Sequence, residues 1–410
     1  MRVAVLFGPL CLSFRGSFDF STIRTDPRGL TGSEYGFVRI AECLREQGHD
    51  VTIYTRSTLW DSEQPLGYHE ILVGGLRLRV LPLEALGSDG REFDAAIAIN
   101  EPDLLRNINA KVKVCEAWLN DWTFAKPDFE RHVDLFVSPS HGHLEQVLTN
   151  PEWRTVGVNK ATPKGGAVYI PDPAMWQVIE LGCDPERYDL NLPKVPGRVV
   201  YCSSPDRGLH LLLQEWPRIK RAVPHANLRI FYRLRPWIDG FTKVPYHPPI
   251  EGLRARALYI EEALRRMQGP EWGIEVHDSV SREQIEREMT EAECLAYPCS
   301  TTRWSEGFSC TILEACAARA CPVITNCDGL ESVYRDHTVM AIREKSPDWP
   351  SNWGKGVIRV LTDPVFRDCL NAGASAFASK LTWRHHTERL ERAILDRLQK
   401  EPETCAHHPV

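Results

Sequence analysis

The chain has 410 residues, of which 43% are apolar and 25% charged. This ordinary globular balance excludes a disordered, collagenous or coiled-coil protein and allows two or three domains at about 100 to 200 residues each. The formal net charge of −6 gives no whole-molecule drive toward nucleic acid or an anionic membrane, so either partner would require a local basic patch.

Met1-Arg2 and the apolar run from Val3 to Phe14 have the charge and length of a signal peptide. Gly8-Pro9 interrupts the run and no A-x-A-like cleavage site follows, so Arg2–Phe7 is read as a buried first strand. Further strand candidates in the first half are Asp50–Thr55, Leu76–Pro82, Phe93–Ile99, Val112–Ala117, Asp134–Ser138 and Ala167–Ile170. Over Gly32–Gln47, Phe37, Ile40, Ala41 and Leu44 fall at i, i+3, i+4 and i+7, one face of a helix that Gly48 closes.

Two prolines and a glycine in Asp189-Leu-Asn-Leu-Pro-Lys-Val-Pro-Gly197 break the periodicity and mark a linker. Strands then alternate with helices again: Arg198–Cys202 strand, Leu209–Ala222 helix, Asn227–Tyr232 strand, Ala255–Met267 helix, Gly273–His277 strand. Ser281–Met289 helix, Ala292–Tyr297 strand, Ser309–Arg319 helix and Pro322–Thr325 strand complete the series. Such alternation defines an α/β protein with parallel sheets, here two Rossmann-like halves. Trp383–Leu398 is a last amphipathic helix, and Gln399–Val410 a polar, frayed tail. No run approaches the ~18 apolar residues of a membrane span. Thirteen cysteines without a C-x2-C pair or dense framework argue against a zinc site or disulfide scaffold and point to reduced thiols in the cytoplasm.

Three places carry candidate chemistry. The connection from about Pro9 to Thr31 ends in Gly29-Leu-Thr-Gly32-Ser-Glu34, where Gly32 at a helix N-terminus lets backbone N–H groups approach a phosphate. It also carries Arg15, Arg24 and Arg28, which are either solvated surface charge or a grip on an acidic or phosphorylated group. The second place is Tyr201-Cys-Ser-Ser-Pro-Asp-Arg207-Gly208, at the sheet edge where open α/β domains bind ligands. Arg207 there is a surface arginine or a partner for a departing diphosphate.

The third is Glu306-Gly-Phe-Ser-Cys-Thr-Ile-Leu-Glu314. Eight residues of continuous helix turn about 800°, which would put the two carboxylates on different faces. The spacing therefore works with Glu306 in a loop and a helix starting near Phe308 or Ser309. The free N–H groups at that start, with the hydroxyls of Ser309 and Thr311, suit a diphosphate, and the carboxylates suit sugar or ribose hydroxyls.

Glu306 to Glu314 resembles the E-x7-E motif of retaining glycosyltransferases of family 4, which have the GT-B fold. Thr31-Gly-Ser-Glu34 is similar to that family's G-G-x-E, and Gln47-Gly-His-Asp-Val-Thr-Ile-Tyr54 to its R-G-H-x-V-x-V. Val178-Ile-Glu-Leu-Gly-Cys-Asp184 resembles V-I-P-N-G-V-D, and Asp328-Gly-Leu-Glu331 the late G-G-x-x-E loop. The resemblance covers about residues 1 to 400.

It implies that Glu306 contacts the donor sugar and Glu314 the ribose. The backbone at Phe308, Ser309 and Cys310, with Thr311, would bind donor sugar and phosphates, and Gly32 would approach the phosphates from the first half. Arg207 takes the place of the lysine in the family's R-x4-K pair. Cys202 stands where its arginine is expected, with Arg233 or Arg235 as candidate replacements. No histidine occurs in Cys115-Glu-Ala-Trp-Leu-Asn-Asp121, where many relatives contact the donor sugar with one, so Asn120 or Asp121 would take that bond. Ser138-Pro-Ser140-His141 resembles a cleft-shaping strand end with a surface histidine, and His277 falls where the family has its nucleotide-base pocket.

The expectation is a GT-B enzyme of two facing Rossmann-like domains: residues 1–189 with the returning helix 383–400, and residues 198–382. It would be a metal-independent retaining hexosyltransferase with no cofactor beyond a nucleotide-sugar co-substrate, a UDP-sugar ahead of GDP-mannose. The acceptor hydroxyl would belong to a glycan, lipid-linked sugar, small molecule or modified nucleobase, an acidic or phosphorylated one suiting the arginine loop. A sugar-nucleotide epimerase of the same fold and a non-catalytic nucleotide-sugar-binding relative are the rival readings.

Overall fold

The computed structural model describes residues 1–8, 24–55, 69–73, 76–88, 90–119, 122, 124–156, 167–243, 251–343 and 347–399. Arg15, Asn120, Asp121, the connection from Pro9 to Ile23 and the tail from Lys400 lie outside the described residues.

The first half holds strands β1 (Arg2–Phe7), β2 (Asp50–Thr55), β3 (His69–Val73), β4 (Leu76–Pro82), β5 (Phe93–Ile99), β6 (Ala110–Glu116), β7 (Leu135–Ser138), β8 (Thr155–Val156), β9 (Ala167–Val168) and β10 (Trp176–Val178). Helices α1 (Gly32–Glu46) and α2 (His141–Thr149) accompany them. The sheet order is β10-β7-β6-β5-β1-β2-β4-β3, parallel except for the β3-β4 hairpin. β1 sits in the middle, Val3 opposite both Val51 and Ala95. Its two faces feed separate cores: Val3, Val5 and Phe7 pack with α1, while Ala4 and Leu6 join Trp122, Phe136, Tyr169 and Trp176. A strand covered on both faces reads as the continuous apolar run seen in the sequence.

One expectation fails here. Ala167–Ile170 does not enter the main sheet; its first two residues pair antiparallel with β8, and Val168 and Ile170 are 70% and 75% exposed. Pro171 and Pro173 remove the N–H donors that would extend a ladder, and β10 forms the sheet edge instead.

The second half holds β11 (Arg198–Tyr201), α3 (Leu209–Ala222), β12 (Asn227–Phe231), α4 (Leu234–Thr242), α5 (Glu251–Arg266), β13 (Ile274–His277), α6 (Arg282–Glu291) and β14 (Cys294–Tyr297). They are followed by α7 (Cys310–Ala317), β15 (Cys321–Thr325), α8 (Leu330–Tyr334), β16 (Val339–Ala341), α9 (Trp349–Thr362), α10 (Pro364–Ala378) and α11 (Trp383–Gln399). Six parallel strands run β13-β12-β11-β14-β15-β16. Helices α3, α5 and α9 cover one face, α6, α7 and α10 the other.

α11 packs on α1 and β6, so this helix returns to the first sheet. One apolar cluster runs from Val3 and α1 through Ile179, Cys183 and Tyr188 to Leu295, Phe308 and Ile312, giving the two sheets a continuous core. Both sheets thus present their carboxyl ends, where ligands of open α/β folds bind, to a shared cleft.

Candidate active site

The cleft has a volume of about 340 Å³. One wall is Arg28 to Gly32, the entry to α1. The other consists of Cys202 to Ser204 after β11, Phe231 to Arg233 after β12, Asp278 to Val280 after β13, and Arg282, Cys310, Thr311 and Glu314.

Thr31 caps α1 in a reciprocal box: its hydroxyl accepts from the Glu34 N–H at 3.3 Å, and the Glu34 carboxylate accepts from the Thr31 N–H at 2.7 Å. Gly32 follows, with no atom within 4 Å of where a Cβ would stand, so a ligand can approach the backbone there. Gly29 has φ +73°, and a Cβ on it would lie 2.5 Å from the Val280 carbonyl oxygen. Only glycine lets the first-half loop close onto the second half at that point. Nearby, the Arg24 carbonyl accepts from the N–H of Arg282 at 3.1 Å, beside the Ser281 cap of α6.

Glu306 lies in the loop before α7, as its spacing requires. Its Oε2 accepts from Arg207 Nε at 2.8 Å and from the Tyr297 hydroxyl at 2.7 Å. Asp328 Oδ2 accepts the backbone N–H groups of Ser305 and Glu306 at 2.8 and 2.9 Å, and Ser140 from the first half donates to the Gly307 carbonyl at 2.6 Å. Burial raises the Glu306 carboxyl above its ordinary pKa, with the Arg207 guanidinium opposing. His143, buried against Trp153 and Trp304, backs the same loop. Its Nδ1 lies 2.8 Å from Ser138 Oγ and its Nε2 3.2 Å from the Leu119 carbonyl. Burial lowers its pKa to about 4, so the ring is neutral at pH 7.

Several expected residues meet in the cleft: Gly32, Cys310, Thr311, Glu314, Arg28 and Arg233. Thr311 donates to the Cys202 carbonyl at 3.3 Å, and burial pushes the Cys202 and Cys310 thiols up, so neither is a thiolate. Others stand elsewhere. Arg207 is not in the cleft lining; besides Glu306 it donates to Asp206 at 2.8 Å and to Ser305 Oγ at 2.7 Å. Phe308 is buried edge-on against Tyr334, whose hydroxyl donates to the Ser309 carbonyl at 2.9 Å.

Arg235 is corrected as a phosphate cation: it is 58% exposed and paired with Glu261 and Asp239 on the outer face of α4. His277 is outside the lining too, its ring stacked on Phe231 with centroids 4.9 Å apart. Arg24 and Arg28 do not make a basic patch, because Glu42 and Asp26 neutralise them at 2.8 and 2.6 Å. His141 is on the surface as read.

Tyr297, His143 and above all Arg282 join these networks without belonging to any motif of the sequence. Arg282 is 10% exposed and binds Glu314 Oε1 at 2.5 Å. Its one sequence signal is a cation in the first turn of a helix, where the dipole disfavours it. Among the described residues no group of three or more His, Cys, Asp or Glu side chains is arranged to hold a metal ion, and no helix is long and apolar enough to cross a membrane.

Residues 260–376 match the family model for glycosyl transferases group 1. A search of curated protein sequences gave no match. Solved structures share the architecture over nearly the whole chain. A glycosyltransferase from Rickettsia africae ESF-5 is 11% identical with a TM-score of 0.60, covering 98% of this chain and 100% of its own. An alpha,alpha-trehalose-phosphate synthase (UDP-forming) from Burkholderia vietnamiensis is 11% identical with a TM-score of 0.60, covering 97% of each. The E. coli trehalose-6-phosphate structure bound with UDP-2-fluoro glucose is 12% identical with a TM-score of 0.62, covering 98% and 100%.

The fold shared with these structures is GT-B, two parallel-sheet Rossmann-like domains facing a cleft. With the group 1 match over residues 260–376, it supports a glycosyltransferase of this fold.

Proposed function

We propose that the protein is a retaining glycosyltransferase of the family 4 type that moves a hexose from a nucleoside diphosphate sugar to an acceptor hydroxyl. The observation that carries this reading is the start of α7, with Thr311 and Glu314, opening into the same cleft as Gly32 at the start of α1. Two helix N-termini then face one diphosphate, with Arg233 on the same wall as the start of α7. Glu314 would hold the ribose, and Glu306, fixed by Arg207 and Tyr297, would face the sugar.

In the transfer, the bond from sugar C1 to the diphosphate oxygen breaks as the acceptor oxygen attacks from the same face, and the acceptor proton leaves on the diphosphate. Positive charge develops on the sugar ring and negative charge on the leaving group. The chain contributes by positioning both substrates and by directing N–H groups and Arg233 at the diphosphate. No metal or cofactor is needed for these roles. The free state of the described cysteines fits a cytoplasmic enzyme.

A thermal-shift screen of UDP- and GDP-sugars, with and without EDTA, tests the donor half of this reading. UDP-glucose comes first, because a fold relative binds UDP-2-fluoro glucose. At 100 times its Kd a donor adds about 2.7 kcal/mol. The expected result is a raised Tm with one nucleotide class, unaffected by EDTA. No shift with any donor contradicts the reading.

A further inference from the structure

We propose that Arg282 is a positioning residue that holds Glu314 for the ribose and ties that contact to the first half of the molecule, so that nucleotide binding and the closed arrangement of the two halves are one coupled event. The inference rests on the reading of Glu314 as the ribose ligand. Arg282 opens α6 in the second half, yet its guanidinium lies 4.2 Å over the ring of Tyr35 in α1 of the first half. Its Nη2 donates both to Glu314 Oε1 and to the Tyr188 hydroxyl, each at 2.5 Å, and its Nε reaches Glu286 at 3.4 Å. Tyr188 belongs to the chain that joins the two sheets.

The network continues beyond this arginine. The Tyr35 hydroxyl donates to Asp184 at 2.5 Å, and Arg39 of α1 closes on the same carboxylate at 2.9 and 3.1 Å. Arg187 bridges Asp184 and Glu286, each at 3.7 Å. One buried set of charges and phenols therefore spans α1, residues 184–188 and α6, and it ends on a carboxylate that lines the cleft.

A buried guanidinium is stable only with its acceptors in place. Separating the halves would take Tyr35 from Arg282, exposing an aromatic face and weakening the hold on Glu314. Conversely, a ribose bound to Glu314 favours the geometry in which Arg282 is sandwiched. That reciprocity is what coupling between two sites means. Lysine cannot reproduce it, because a single ammonium lacks the planar fork that serves Glu314, Tyr188 and Glu286 while stacking on a ring.

Calorimetric titration with UDP and its 2′-deoxy form dUDP, and likewise with GDP and dGDP, tests the proposal on the full chain. The wild type should bind the ribonucleotide more tightly than its deoxy form. Arg282→Gln should weaken ribonucleotide binding about tenfold and abolish that preference, a size typical of site-to-site coupling. Tyr35→Leu, in the other half, should weaken it in the same sense, and the double variant should lose no more than the worse single one. Arg282→Lys should keep the melting temperature and recover only part of the affinity. An unchanged preference in Arg282→Gln, or additive losses in the double variant, would overturn the coupling while leaving Glu314 as the ribose ligand. A wild type that binds both forms equally would remove the ribose reading itself, and the proposal with it.

Discussion

Arg233 and Arg235 are two residues apart, and only the first lines the cleft. A helix turns about 100° per residue, so at the start of α4 a shift of two positions moves a side chain from the cleft wall to the outer face. The sequence offered both and could not choose. It did point to Glu314, Thr311 and Gly32, which line the cleft, and to Glu306 in the loop before α7, because a local pattern of loop, helix start and hydroxyl marks them. Arg282 was not legible, since its partners Glu314 and Tyr35 lie 32 positions downstream and far upstream, and only the folded chain brings them together. If Arg233 meets the diphosphate, Arg233→Ala should weaken UDP binding by about tenfold or more, as for a charge-assisted bond, and leave uridine binding unchanged. Equal losses for UDP and uridine would assign Arg233 to the base or to the fold.

Among the elements, the amphipathic helix α1 and the buried strands were readable from periodicity. α9 was not: Gly354 and Gly356 lower its helix propensity. A Cβ at Gly356 would meet Val339 and Val323 at 3.0 and 3.1 Å, so tertiary packing asks for a glycine there. The return of α11 to the first sheet was an expectation; its fastening was not. His386 of α11 is fully buried with Glu116 of β6, its Nε2 3.2 Å from Oε1, and its Nδ1 lies 2.9 Å from the Glu180 carbonyl.

Burial lowers the His386 pKa, but Glu116 and the Glu180 carbonyl outweigh it and the net shift is upward. A histidine raised in the folded state contributes stability that is complete below its unfolded pKa of about 6.5 and fades as pH rises through the folded value. The Tm advantage of the wild type over His386→Gln should therefore shrink as pH rises above about 6.5. An advantage that holds or grows with pH would mean that the pair is not ionised as described.

At the scale of the whole molecule, a net charge of −6 conceals a cleft whose arginines are mostly answered by acids: Arg28 by Asp26, Arg282 by Glu314. Of the loop's arginines, Arg24 and Arg28, which lie among the described residues, are both paired with acids, and in the proposed reading the diphosphate meets helix N-termini and Arg233. Two halves with one continuous core also explain why partners separated by more than a hundred residues, such as Ser140 and Gly307, form the floor beneath Glu306.

The central claim is that this cleft cleaves a nucleotide-sugar with retention and needs Glu306 to do so. Proton NMR of the slow hydrolysis of UDP-glucose or GDP-mannose, read before the product sugar mutarotates, tests it most directly. The expected result is release of the nucleoside diphosphate with the α-anomer appearing first, and a rate at least about a hundredfold lower in a folded Glu306→Gln variant. The β-anomer first, an isomerised sugar without diphosphate release, or wild-type turnover in Glu306→Gln would contradict it.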